Sequence, residues 1–384
     1  MGTILDLAER SWNGLVPASQ HWKATGGVEE IADGVFFVHA FANVTVVRTE
    51  AGLVLVDTSN YAARAKTFAA VRGIDPGPIV AAIYTHGHAD HACGMPPFLD
   101  EARSRGWAPP RIVGHRNVIA RFDRYRLTNG HNALINARQF GIAPTWPTDY
   151  DYPDTVYDAA FRLDVGATTL ELRHARGETD DHTWIFWAAR RILWTGDQFI
   201  WVAPNVGDPQ KVQRYAAEWA VSLRAMAACE AEILVPGHGP PIVGAGRVRQ
   251  ALTETAEWLE HLVDETVARM NQGLMLEAIV AEVGPPARLA ARPYLQAVYD
   301  EPEYVVRNIW RLYGGWWDGV ASHLKPASQS ALGREVAAPD DRDAHAARAA
   351  IYGKRAAEAR ALMTRGIFSA AARESDDAPG RAGG

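Results

Sequence analysis

The sequence predicts an α/β unit followed by an all-helical annex, and three observations carry that reading. Short β-rich runs, Val35–Val38, Val44–Val47 and Leu53–Asp57, are separated by Gly and polar turns, the pattern of a meandering sheet. A helical stretch, Ala62–Val71, then a buried strand, Ile79–Tyr84, make a strand-helix-strand step. From Ala245 the pattern changes: Val248, Leu252, Ala256, Leu259, Leu262, Val263, Val267 and Met270 recur every three or four residues, which marks one long amphipathic helix.

At 384 residues the chain is long for one core. Its periodicities divide it into an arm (1–28, with a short helix at Ile4–Trp12), a catalytic unit (29–243), a helical unit (244–325) and an Ala/Arg/Asp-rich tail (326–384). Between strand and annex, Met95–Arg105 reads as a helix and Arg111–Gly114 as a strand, whereas Arg116–Tyr152 reads as irregular and polar. Strands resume at Phe161–Val165 and Thr168–Arg173, followed by a hairpin, Trp184–Trp187 and Ile192–Trp194, and by Ile233–Val235. In the annex, Leu274–Val283 and Val305–Leu312 are helical; in the tail one helix is expected between Asp343 and Thr364, with an unstructured end after Glu374.

Composition excludes several functions. A net charge of -6 and no basic stretch leave no footprint for nucleic acid. Two cysteines, Cys93 and Cys229, build no disulfide framework, and no apolar run reaches membrane-spanning length. The N-terminus mixes Asp6, Glu9 and Arg10 into its apolar residues and offers no signal-peptide core, so a cytoplasmic enzyme is expected.

The chemistry is concentrated after Ile79–Tyr84. Thr85-His86-Gly87-His88-Ala89-Asp90-His91 packs four metal-binding side chains into six residues at a strand's end. In an extended loop the imidazoles of His86 and His88 point the same way, and Asp90 and His91, from the following turn, face a second point, which suggests two neighbouring cations. Nitrogen and carboxylate donors without thiolate favour zinc, and iron or manganese accept a similar set. Three later strand ends deliver Glu178, Asp197 and His238 to the same kind of position. Asp57, at the end of its run, either holds this loop by hydrogen bonds or starts the next turn. The polar stretch Arg121, Arg124, Tyr125, Arg126, Asn129, His131, Asn132, Asn136 and Arg138 would suit an anionic substrate, or be a solvated helix face.

Taken together, Asp57 after a strand, T-H-G-H-A-D-H at 85–91, the loop from His174 to Thr183 leading into T-G-D at 195–197, and G-H-G at 237–239 resemble the metallo-β-lactamase superfamily over roughly residues 30–243. Glu178, where that superfamily usually has a metal-binding histidine, is similar to the alkyl sulfatase branch. So are Ala42–Gly52 and Asn129–Gly141, while Arg311–Gly319 resembles that branch's dimerisation domain.

The resemblance implies an αβ/βα sandwich and two zinc ions per chain, one on His86, His88 and Glu178, the other on Asp90, His91 and His238, with Asp197 bridging. It implies hydrolysis of an alkyl sulfate ester by activated water, with Asp90 and Asp197 orienting the nucleophile, and a homodimer acting on a small anionic ester. Asn132, Arg138, Asn205 and Arg214 are candidates to hold the sulfate, and Trp201 with the annex to rim an apolar cleft. His174 and His182 are rival ligands with roles expected behind the centre or in the core. Cleavage at S–O or C–O stays open. The competing readings are a lactonase, thioesterase, β-lactamase-like enzyme or phosphoesterase on the same scaffold, an iron oxidoreductase, and a dimeric binding module.

Overall fold

Two β-sheets lie face to face with helices on both outer surfaces. The computed structural model describes residues 3–319, 321–324 and 342–376. The first sheet holds seven strands in chain order: β1 (Val28–Ala32), β2 (Val35–Val38), β3 (Val44–Thr49), β4 (Gly52–Val56), β5 (Ile79–Ile83), β6 (Arg111–His115) and β7 (Thr155–Tyr157). Strands β1 to β4 pair antiparallel, and β4 to β7 pair parallel through crossovers. The second sheet holds six: β8 (Ala160–Val165), β9 (Thr168–His174), β10 (Thr183–Trp187), β11 (Ile192–Gly196), β12 (Ile233–Pro236) and β13 (Ile242–Val243). All its pairs are antiparallel except β11 beside β12.

Val35, Phe37, Val54 and Ile83 from one sheet meet Leu170, Leu172, Ile185 and Trp194 from the other in a buried core. Outside the first sheet, Val71 of α2 (Arg64–Ile74), Phe98 of α4 (Pro96–Arg105) and Phe122 of α5 (Asn117–Leu127) cover Leu53, Leu55 and Ile112. Outside the second, Trp219 and Leu223 of α7 (Ala216–Ala227) and Leu252 and Leu259 of α8 (Ala245–Asn271) cover Leu193 and Leu234. The layers therefore run helix, sheet, sheet, helix, the expected αβ/βα sandwich. Strands covered on both faces explain why β4 and β5 read as continuous apolar runs instead of alternating ones. Each buried leucine of α8 contributes about 2 kcal/mol.

Two expectations are corrected. The segment from Arg116 to Tyr152 is irregular only beyond residue 140: before that, α5 is followed by α6 (Asn129–Phe140). Helix α6 buries Asn132, Asn136 and Gln139 as well as Ala133 and Ile135, so it lacks the apolar stripe that betrays a helix. Among the described residues of the tail there are two helices, Arg342–Glu358 and Leu362–Asp376, where one was expected. The break falls where the backbone N–H groups of Leu362 and Met363 donate to the carbonyls of Val298 and Tyr299, which ties the tail to the annex. The second tail helix packs on α6, with Gly366 against the backbone of Gln139, and runs past Glu374 to Asp376; the unstructured end expected beyond lies outside the described residues. Among the described residues no helix is long and apolar enough to cross a membrane.

Candidate metal centre

The ends of β4 and β5 build the first flank. Asp57, directly after β4, holds a left-handed backbone at φ 57° that a non-glycine residue adopts only under constraint. Its carboxylate accepts from the Thr85 amide (2.8 Å), from Thr85 Oγ1 (2.8 Å) and from His91 Nδ1 (2.8 Å). Because the Thr85 hydroxyl donates to Asp57, it accepts from His86 Nδ1 at 3.0 Å. Asp57 thus fixes two imidazoles, one directly and one through Thr85, and leaves the Nε2 atom of each facing inward. Of the two sequence readings for Asp57, the structure selects the hydrogen-bonding one. The loop is pinned a second time: the Gly87 amide donates to Asp181 Oδ2 at 2.9 Å, and Asp181 is paired with the buried Arg121 at 2.9 Å.

Loops of the second sheet build the other flank. Glu178 Oε1 accepts from Arg214 Nη1 (2.8 Å) and Asn205 Nδ2 (3.0 Å). Its Oε2 stands 3.3 Å from His88 Nδ1 and 3.4 Å from His86 Nε2 without a hydrogen bond to either. Asp197, just past β11, brings Oδ1 to 3.2 Å from His91 Nε2 and Oδ2 to 3.3 Å from His238 Nε2 and 3.9 Å from His86 Nε2. A Cβ on Gly237 would stand 2.0 Å from Asp197 Oδ1, so glycine is required there. His238 Nδ1 donates to the Phe41 carbonyl, which turns Nε2 toward Asp90 Oδ2 at 3.4 Å. Asn43 secures this loop through its side-chain bonds to the carbonyls of Pro236 (3.1 Å) and Gly239 (2.8 Å).

All seven expected ligands are therefore brought together. Their donor atoms form two groups, His86, His88, Glu178 and Asp197, and Asp90, His91 and His238, each within 4.8 Å. Asp197 reaches residues of both, the place of a bridge. Glu178 Oε2 and Asp197 Oδ1 are buried without hydrogen bonds although imidazole nitrogens lie within 3.4 Å, and His86 Nε2 and His88 Nδ1 are 2.9 Å apart, so the donor atoms of each group crowd about a common point. Such a donor set fits divalent cations.

The electrostatics agree. Burial disfavours the imidazolium of His238, but Asp197 and Asp90 outweigh it and push its pKa up to about 10; His91 rises well above the usual range for the same reason, with Asp57 adding to it. Burial also resists ionisation of Glu178, yet His88 and Arg214 hold its carboxyl down to about 2. Burial and the neighbouring imidazoles of His91 and His88 keep His86 well below the usual range.

The rival histidines stand behind the centre. His182 Nε2 accepts from the Asp197 amide at 3.1 Å, so that atom is occupied, and His174 Nδ1 donates to the His182 carbonyl at 3.0 Å while its ring stacks on His115 at 3.6 Å.

The four sulfate candidates separate. Asn205 and Arg214 line the cavity above the centre, and each donates to Glu178, Asn205 through Nδ2 and Arg214 through Nη1. Asn132 does not line it: its amide bonds Thr128 within the helix (3.0 Å). Arg138 points outward to Glu374 at 3.3 Å and is exposed. The wider arginine-rich stretch is corrected likewise, since Arg121 is consumed by Asp180 and Asp181, and only Tyr125 and Asn136 of that group reach the cavity. Trp201 is fully buried core, its Nε1 donating to the Pro240 carbonyl, because it sits under the site and not at its rim.

The cavity measures about 940 Å³, and Trp22, Phe41, Tyr61, Phe140, Trp146 and Tyr150 give it an aromatic wall. The annex contributes Tyr299. A residue that the sequence reading missed faces this space: Lys211, whose Nζ donates to Asn136 Oδ1 at 3.1 Å. Its neighbourhood, Asp208 to Arg214, carries a dense run of polar residues after Asp197, which was the available signal.

Comparison with known proteins agrees with this geometry. The pattern of the metallo-beta-lactamase superfamily matches residues 39–238, just over half of the chain. That of alkyl sulfatase dimerisation matches residues 275–338. A linear primary-alkylsulfatase of Pseudomonas sp. (strain ATCC 19151) is 25% identical over 76% of this chain and 60% of its own length. An (R)-specific secondary-alkylsulfatase of Pseudomonas sp. is 28% identical over 74% of this chain and 47% of its own. The chain thus spans about half to three fifths of the length of these relatives. The solved structure of the stereoselective inverting sec-alkylsulfatase Pisa1 from Pseudomonas sp. superposes with a TM-score of 0.78 at 21% identity, over 92% of this chain and 66% of that one, which is a likeness of fold. The chain belongs to the metallo-beta-lactamase superfamily, and its helical annex carries the alkyl sulfatase dimerisation region.

Proposed function

We propose that the protein is a metal-dependent hydrolase that cleaves alkyl sulfate esters to alcohol and sulfate, with two zinc ions per chain. The observation that carries this reading is the convergence of seven nitrogen and oxygen donors, in two groups, at the floor of an aromatic cavity with a lysine at its polar end. His86, His88 and Glu178 would hold one ion, Asp90, His91 and His238 the other, and Asp197 would touch both. Ions bound there supply Lewis acidity and a nucleophile of hydroxide strength at neutral pH.

The chain's own residues do the rest. Asp90, whose carboxylate remains partly open to the cavity, and Asp197 orient the attacking water and hold its proton at their carboxylate oxygens. Lys211 binds a sulfate oxygen through the N–H groups not given to Asn136. Burial pushes the Lys211 ammonium below the usual lysine range, which makes it a readier proton donor to a departing oxygen. The rings of Trp22, Phe41 and Trp146 pack the alkyl group and exclude water. The annex pairs two copies of the chain: Tyr313 and Trp316 lie exposed within the dimerisation region, as an interface requires.

Steady-state assays of the zinc-loaded chain with primary and secondary alkyl sulfates, lactones, thioesters and phosphate esters test the reading. Sulfate release in stoichiometric step with alcohol is the expected result. Turnover of another ester class with none of any alkyl sulfate replaces it with a different hydrolase on the same scaffold.

A further inference from the structure

Behind the centre a candidate ligand is locked to a cation with almost no access to water. The Arg214 and Glu178 side chains are 3% and 2% exposed and 2.8 Å apart. Arg214 Nη1 also donates to the Asn205 carbonyl at 2.8 Å, and Asp208 lies 3.9 Å from Nη2, so the guanidinium is held from several sides. A buried guanidinium is expensive, and orientation alone does not need one: the neutral amide of Asn205 already grips the same oxygen, Glu178 Oε1, at 3.0 Å. The charge itself therefore requires an explanation. With Oε1 taken twice, only Oε2 faces His86 and His88, and it faces them without a hydrogen bond.

We propose that Arg214 is a positioning residue that cancels the charge of Glu178 while fixing which oxygen it presents, so that His86, His88 and Glu178 act together as an electrically neutral donor set. The proposal rests on the reading of these residues as metal ligands. It follows that a neutral ligand in place of Glu178 is tolerated only when Arg214 loses its charge as well, because the guanidinium would otherwise lose its 2.8 Å partner, keep only Asp208 at 3.9 Å, and stand beside a divalent cation.

Zinc content and zinc affinity of the full chain, read by elemental analysis after dialysis and by competition with a chromophoric chelator, test this without reference to turnover. Glu178→His alone is expected to lose one ion per chain and to weaken zinc binding by at least about tenfold, the scale on which groups behind a metal ligand act. Glu178→His combined with Arg214→Met is expected to recover both ions, with affinity within about threefold of the unmodified chain. Circular dichroism confirms folding of each metal-free variant, and Arg214→Gln replaces Arg214→Met should the first combination fail to fold. The proposal is overturned if the double variant binds zinc no better than Glu178→His, or if Glu178→His alone keeps full affinity. An unmodified chain that takes up fewer than two ions overturns the metal reading itself, and the proposal with it, and so is told apart from failure of the charge pairing alone.

Discussion

On the flank built from residues 57–91, a carboxylate stands behind imidazoles; on the flank built from residues 178–214, a guanidinium stands behind a carboxylate. Asp57 accepts from His91 and, by way of Thr85, orients His86, which makes neutral nitrogen donors richer in charge. Arg214 and Asn205 draw charge from Glu178 through one oxygen, which makes an anionic donor poorer in it. The two flanks start from different side chains, and the group behind each acts on it in the opposite sense. What each candidate ligand would contribute is set jointly by its own chemistry and by the group at its back.

Disabling the first flank has the largest expected effect. Asp57→Ala frees His91 to rotate and leaves the Thr85 and His91 donors buried and unpaired, and zinc affinity should fall by about 10- to 100-fold, with activity following. Retention of two ions per chain after dialysis of that variant would mean that only one flank depends on its supporting group. A residue of the second flank that faces the cavity gives the next largest change. Lys211→Met removes a charge-assisted hydrogen bond worth about 1.5–3 kcal/mol, so kcat/KM for alkyl sulfates should drop by roughly one to two orders of magnitude at unchanged metal content. Metal loss in this variant would instead place Lys211 among the groups that support Glu178.

A titration sharpens the picture of the Arg214 flank. Burial and the charge of Asp208 push the Asp300 carboxyl up to about 8, from an ordinary value of 3.8. Between those values the folded chain keeps a proton that the unfolded chain has released, so stability from this group falls as pH rises through the window, by at most about 1.4 kcal/mol per unit, and levels off above it. Asp300→Asn removes that slope. Urea unfolding at a series of pH values should show the variant gaining on the unmodified chain as pH climbs from about 5 to about 8, and a constant difference would mean that Asp300 is ionised in the fold. The smallest effect belongs to Arg138→Ala. Its side chain is 43% exposed and bonded to Glu374, outside the cavity, so kcat/KM should stay within about twofold, and a larger loss would return it to substrate binding.

Most of the sandwich was legible because its strands are buried on both faces, and runs such as Leu53–Val56 therefore carry their own signature. The residues of 85–91 were legible from spacing alone, while Glu178, Asp197 and His238 gained their meaning from the order of motifs along the chain. Helix α6 was not, because polar Asn132, Asn136 and Gln139 occupy its buried face. The place of Arg214 was hidden for another reason: an arginine near an anion site can grip a substrate or a carboxylate of the protein, and its 2.8 Å contact with Glu178 is visible only in the fold. Trp201 misled by type, since an indole wedged beneath a site and one at its edge look alike in a sequence.

The contact between Gly366 and the backbone of Gln139 ties remote parts of the chain together. A Cβ at Gly366 would come within 2.9 Å of the Gln139 carbonyl oxygen, and the helix carrying that carbonyl also delivers Asn136 and Phe140 to the cavity above the candidate metal centre. The shape of the chamber is consequently not a private matter of its lining. A side chain added at Gly366, far along the tail, would press on that helix and so on the positions of Asn136 and Phe140 in the cavity wall.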